Sequence, residues 1–126
     1  MLTWRLELDS DDNAPRLARR TARAWLELIP CDDGTKADII VVVSEFVTHA
    51  VTDESTRIAL EIVFDDGRLR IDVHGQPDQR RPPGRSEARH RGRTPNLTDR
   101  ITDTVTDNWE RRRTPHETHM WAEILC

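Results

Sequence analysis

The chain has 126 residues, 33% of them charged, with a formal net charge of −4. That length supports one ordinary hydrophobic core and not two, and the mildly acidic balance gives no general reason to expect nucleic acid as a partner. No apolar run reaches the roughly 18 residues a bilayer-spanning helix needs, so no membrane span is expected.

The opening "MLTWRLELDS" lacks a basic stretch followed by an apolar one, which is how a secretory signal would read. Within it, Leu2, Trp4, Leu6 and Leu8 alternate with polar residues, the period of a strand with one buried face. Asp11, Asp12 and Asn13 offer a helix N-cap and Pro15 suits the first turn. Ala18, Ala22, Trp25 and Ile29 then recur at helical spacing, and "PCDDGT" supplies the turn that ends the helix. Cys31 in that turn and Cys126 at the end of the sequence make no disulfide framework; both are expected to be reduced thiols in a cytoplasmic protein. Basic charge is carried almost wholly by arginine, Lys36 being the one lysine, a bias of a high-GC genome and not of mechanism.

A second helix is predicted over about Thr35 to Val51. Its "IIVVV" run alone could be a buried strand, but the pattern Ile39, Val43, Phe46 and Ala50, flanked by Ile40, Val42 and Val47, decides for helix. "TRIALEIVF" and "RLRIDVH" follow as alternating strands, joined by Asp66-Gly67, a strong hairpin signal. Residues 75–95, "GQPDQRRPPGRSEARHRGRTP", with four prolines, three glycines and six arginines, bury no face and are expected to form a long lid-like loop. "NLTDRITDTVTD" reads as a helix with Leu97, Ile101 and Val105 inward, although its threonines favour strands or caps. "NWERRR" and "THMWAEIL" close the chain as a hairpin, Met120, Ala122 and Ile124 alternating with Trp121, Glu123 and Leu125. The order predicts one α/β domain over residues 1–126, a two-layer sandwich with a mostly antiparallel sheet and helices on one face.

In the second helix, Asp38, Glu45 and His49 fall together on the shoulder of the apolar stripe, beside Val42. Glu45 and His49 at i and i+4 read either as an ion pair worth about 0.2–0.5 kcal/mol or as the lining of a ligand cleft.

"VVVSEFVTHAV", the hairpin strand "LRIDVHG", the Pro/Arg/Gly loop, a short helix, "TDNW" and the closing "THMWAEI" come in the order and spacing of a known family. The chain resembles the histidine-kinase-like ATPase fold over nearly its whole length, and within it the short anti-sigma-factor serine kinases and their actinobacterial relatives. In those proteins the helix reads close to "SELVTNAV", the last helix leads into something like "ADRWG" and the final strand into something like "VWAEL". The resemblance implies Glu45 as the general base of phosphoryl transfer to a protein serine. It puts His49 at the family's magnesium-holding asparagine. Magnesium takes oxygen ligands in a near-octahedral shell, whereas imidazole suits zinc, copper or nickel, so His49 should hold Mg²⁺ weakly.

Two further contacts depart from the pattern. Where the family has an aspartate that binds the adenine amino group, strand register puts Gly75 and counting back from Pro77 puts His74; Asp72 or Asp78 would reach it only by a local shift. The family's Gly-x-Gly phosphate loop keeps Gly92 but has Thr94 for the second glycine, with Pro95 removing a donor and Arg91 and Arg93 offering side-chain contacts instead. The altered contacts imply a regulatory protein-binding domain that holds ATP and magnesium weakly or not at all. Its expected partners are a sigma factor, an antagonist-type protein, or a second copy in a homodimer. An active ATP-dependent serine/threonine protein kinase is one alternative; a pocket in which Glu45 and His49 serve another ligand or reaction is another.

Other clusters carry less. The loop arginines with "ERRR" at 110–113 lack interleaved aromatics for base stacking, and a solvated lid or an acidic protein partner suits them better. Glu45 and His49 form an i, i+4 metal half-site that His74 could join across the fold, but no complete ligand set is visible; His116 and His119, three apart on a strand, face opposite sides. Trp4, Trp25 and Trp109 are expected in core or interface packing, with Trp121 more exposed.

Overall fold

A computed structural model describes residues 1–53, 55–77 and 97–126; at 77, 97–99 and 101 the description is of the backbone. Strand β1 (Leu2–Asp9) leads to helix α1 (Ala14–Leu26) and helix α2 (Asp33–Thr52), then to β2 (Ser55–Asp65) and β3 (Arg68–Pro77), helix α3 (Leu97–Val105), β4 (Asn108–Arg113) and β5 (Thr118–Leu125). The five strands form one sheet in the order β1-β2-β3-β5-β4, every neighbouring pair antiparallel. The α/β architecture and the grouping of helices against an antiparallel sheet match the sequence expectation.

Local chemistry sets the boundaries. Asp32 caps α2 by accepting the Thr35 backbone N–H at 2.7 Å, so the helix starts two residues before the apolar periodicity suggested. Asp66 and Gly67 both take positive φ, +50° and +76°, the twist a two-residue antiparallel hairpin requires. Helix α1 stops at Leu26, earlier than expected. Ile29 is buried all the same, from a tight turn in which its N–H bonds the Leu26 carbonyl.

The α1 stripe is Ala14, Ala18, Ala22 and Leu26, all buried; its small residues let α1 lie close against α2. Trp25 sits to one side of it, half-buried and stacked on Trp4 with centroids 6.2 Å apart. Helix α2 is the centre of the helical layer, packing on β2, β3 and β5, with α1 reaching β1 and α3 reaching β4. Its Ile39, Ile40, Val42, Val43, Phe46, Val47 and Ala50 are buried against Ile58, Leu60, Ile62, Leu69, Ile71, Val73, Met120, Ala122 and Ile124 of the sheet. Each buried Val, Leu, Ile, Phe or Met side chain among these adds about 1.5–3 kcal/mol of hydrophobic stabilisation relative to exposure, the alanines less.

Two expectations need correction. The segment expected as loop from residue 75 is strand as far as Pro77: Gly75 and Gln76 stay in register with Ile58 and Arg57, and after an irregularity Pro77 faces Ser55. The β1 face is only partly buried, since Leu8 is covered while Leu2 at the other end is 48% exposed. In α3, Thr102 is buried and Val105 packs on the core, while the Leu97 and Ile101 side chains lie outside the described residues. The expected lid falls almost wholly outside them too. Among the described residues no helix is long and apolar enough to cross a membrane.

Candidate functional site

The C-terminal end of α2 meets the sheet where β2 begins, β3 ends and β5 begins. Strand alternation sends Gly75 of β3 and Thr118 of β5 toward the helices, directly paired with each other across the two strands. From β4, Trp109, Arg111 and Arg113 share that face, with Arg113 opposite Thr118. Asp53, the C-cap residue of α2, is buried at this junction and donates its backbone N–H to the His49 carbonyl at 2.9 Å.

Asp53 organises the corner. One carboxylate oxygen, Oδ2, lies 3.5 Å from His49 Nε2 and accepts from Thr118 Oγ1 at 3.5 Å. The other, Oδ1, lies 3.9 Å from Arg113 Nη1. A carboxylate this deep is tolerated only with such partners, because taking an unpaired charge out of water costs several kcal/mol per ion. Ser55 completes the packing. Its Oγ is buried, without a hydrogen-bond partner among the described residues, and lies 2.3 Å from where a Cβ on Gly75 would be; Ala50 Cβ would be 3.5 Å away.

The sequence-predicted residues fall as follows. Glu45 is half-buried on α2, one turn before the buried His49, and both belong to the helix shoulder beside this corner. Gly75 faces the corner and His74 does not: His74 projects from the opposite face of the sheet, so it cannot join Glu45 and His49. Gly92, Arg93 and Thr94, with Arg91, lie outside the described residues. Asp53, Ser55, Arg113 and Thr118 were missed. Asp53 continues the Glu45–His49 spacing by a further four residues, and the final hairpin's alternation turns Arg113 inward, so both were open to view as inward-facing polar residues; their meeting at one corner, and the place of Ser55 in it, carry no local signal.

The open face of the sheet carries a separate polar ladder. Asp72 and His74 of β3 lie beside His119 and Trp121 of β5. Arg70 makes two hydrogen bonds to Asp72 (3.0 and 3.2 Å), lies 4.7 Å from the Trp121 ring centroid and reaches Glu123 at 3.7 Å. The Asp72 hydrogen bond pushes the Arg70 guanidinium above its ordinary range. His116, by contrast, is exposed in the β4–β5 turn, well apart from His119 in role.

The fold, five antiparallel strands backed by helices on one face, recurs in solved structures. Over 99% of this chain, the fold superposes on the structure of the RsbU and RsbW domains of Rv1364c from Mycobacterium tuberculosis, with a TM-score of 0.76 and 20% identity. The chain spans only 32% of that protein's length. It also superposes, over 98% of its length and with a TM-score of 0.67 at 8% identity, on the SiaB–SiaC complex from Pseudomonas aeruginosa, covering 89% of that chain. No protein-family model matches the sequence.

Proposed function

We propose that this chain is a regulatory protein-binding domain of the anti-sigma-factor type, cytoplasmic, in which nucleotide turnover has been given up. The observation that carries the reading is the Asp53-centred corner. Where the resembled family places an adenine-binding carboxylate, this chain has Gly75 by strand register or His74 by counting back from Pro77, neither a carboxylate; Gly75 faces the corner, and the space beside it is taken by Ser55. At the magnesium-holding position stands His49, whose Nε2 is directed to Asp53 within the chain. A nitrogen donor engaged in that way does not fit a hard ion that wants oxygen ligands. The residues at the corner therefore do not suit Mg-nucleotide.

What remains is binding through the surface. The likeness to an RsbW domain, and to a protein solved as a complex, supports a regulatory protein partner: a sigma factor, an antagonist-type protein, or a second copy of the chain. The test uses a panel of sigma factors and antagonist-type proteins from the same organism. Binding should be equally tight with EDTA, with Mg-ATP and in Glu45→Ala, and no partner serine should become phosphorylated. Phosphate transfer to a partner that is abolished by Glu45→Ala would instead establish the active kinase.

A further inference from the structure

We propose that the open face of the sheet carries a divalent transition-metal site, suited to zinc, formed by His74, His119 and Asp72 and oriented by Glu117. It is independent of the helix-side corner and lies on the other side of the sheet.

Register brings the set together. His74 on β3 and His119 on β5 are direct cross-strand partners, and Asp72 is two residues along β3 on the same face. The two imidazoles stack, centroids 4.1 Å apart and planes 8° from parallel. His119 Nε2 lies 2.9 Å from Asp72 Oδ1. Taking one ligand atom from each residue, the three lie within 4.8 Å of one another, a grouping of metal-ligating side chains found among the described residues.

The neighbours prepare the donors. Glu117 Oε1 stands 2.5 Å from His74 Nδ1. A carboxylate there accepts the Nδ1 proton and leaves Nε2 as the lone-pair donor, the arrangement that orients metal-bound histidines. At His119 the ring nitrogen facing Asp72 can share a proton with it, and a metal ion takes that proton's place. Arg70 competes for Asp72, but its shorter bond is to Oδ2, at 3.0 Å, against 3.2 Å to Oδ1.

Size and ligand type select the ion. Zinc bonds of about 2.0–2.1 Å to nitrogen place neighbouring tetrahedral ligands about 3.3 Å apart. The 2.9 Å His119–Asp72 spacing and the 4.8 Å limit on the set bracket that value; because ring lone pairs lie in the ring planes, ligation also requires the two stacked imidazoles, 8° from parallel, to tilt toward a common point. Two imidazoles and one carboxylate favour zinc, nickel or copper over magnesium or calcium. With His74 and His119 part-exposed, the fourth position is open to water or to a side chain of a binding partner.

The experiment is calorimetric titration of the untagged full chain with ZnCl₂, with MgCl₂ as control, followed by Co²⁺ loading read as visible d–d absorption. One zinc per chain should bind, magnesium should not, and Co²⁺ should give a nitrogen-ligated spectrum. His74→Ala and His119→Ala should each weaken zinc at least tenfold, Glu117→Gln about 10–100-fold as expected for an orienting carboxylate, and His116→Ala not at all, with circular dichroism confirming that each variant folds. Absence of zinc binding, or binding undiminished by His74→Ala and His119→Ala, overturns the proposal. If either histidine variant fails to fold, the wild-type Co²⁺ spectrum decides: a spectrum without nitrogen ligation rejects the site.

Discussion

His49 shows what one side chain does at the end of α2. An amide at its position can offer oxygen to an ion outside the helix; the imidazole here lies against Asp53, one turn further on, and ties the end of α2 to β4 and β5 through Arg113 and Thr118. Removing the shared carboxylate should expose how much rests on it. Asp53→Ala leaves Arg113 and His49 facing a vacated space, and urea unfolding should show a loss of about 3 kcal/mol, the low end for a broken buried pair because Arg113 is partly exposed. A loss under about 0.5 kcal/mol, the level of an ordinary surface change, would mean that the cluster does not hold this corner.

A second residue-scale prediction concerns Cys126. The residue is exposed overall, yet partial desolvation of its thiol and then a hydrogen bond with the Cys31 thiol push it up to about 12. Because the folded value lies above the ordinary 9.0, the protonated thiol is favoured in the fold. Its contribution is complete below about pH 9 and is lost as pH rises through the folded value. The thiolate is the nucleophile, so at pH 8 Cys126 should alkylate with iodoacetamide more slowly in the folded chain than in urea, as followed by mass spectrometry. Equal rates would contradict the desolvated, hydrogen-bonded thiol.

At the scale of elements, β3 decides what faces what. A one-residue shift would exchange His74 and Gly75 between the two faces of the sheet. Gly75 suits the helix side because a Cβ there would run into the Ser55 side chain, while Ala50 would be in ordinary contact. Gly75→Ala should therefore destabilise by about 1–3 kcal/mol through overpacking, and the same change in a Ser55→Gly background should lose most of that penalty. Equal losses in both backgrounds would rule out the close approach of Ser55. This contact also marks the limit of what sequence could show. The elements with strong periodicity, α2 and β5 above all, were legible from Ile39 to Ala50 and from Met120 to Ile124. The strand continuation through Gly75, Gln76 and Pro77 was hidden, since glycine and proline signal a turn locally while register with β2 holds them in the sheet. Likewise Glu45 and His49 were legible as a polar shoulder. Their link to Ser55, Arg113 and Thr118 depends on strands far away in sequence, which no local spacing reveals.

At the scale of the whole molecule, the sheet has two unlike faces. The helix side is packed with aliphatic side chains and closed at one end by the Asp53 cluster; the other side is a lattice of paired charges, including Arg5 with Glu61 and Arg57 with Glu7, together with the His74–His119 stack. The polar chemistry is thus divided between a buried corner at the end of α2 and an exposed face on the other side of the sheet. The proposed function rests on the corner not accepting nucleotide. The measurement that tests it most directly is calorimetric titration of the purified chain with ATP and with ADP, each with and without Mg²⁺, paired with thermal unfolding. A ligand that binds only the native state must raise the melting temperature. A corner that does not accept nucleotide gives no binding heat and no thermal shift at millimolar nucleotide, with or without the ion; magnesium-dependent binding accompanied by stabilisation would contradict the proposed function.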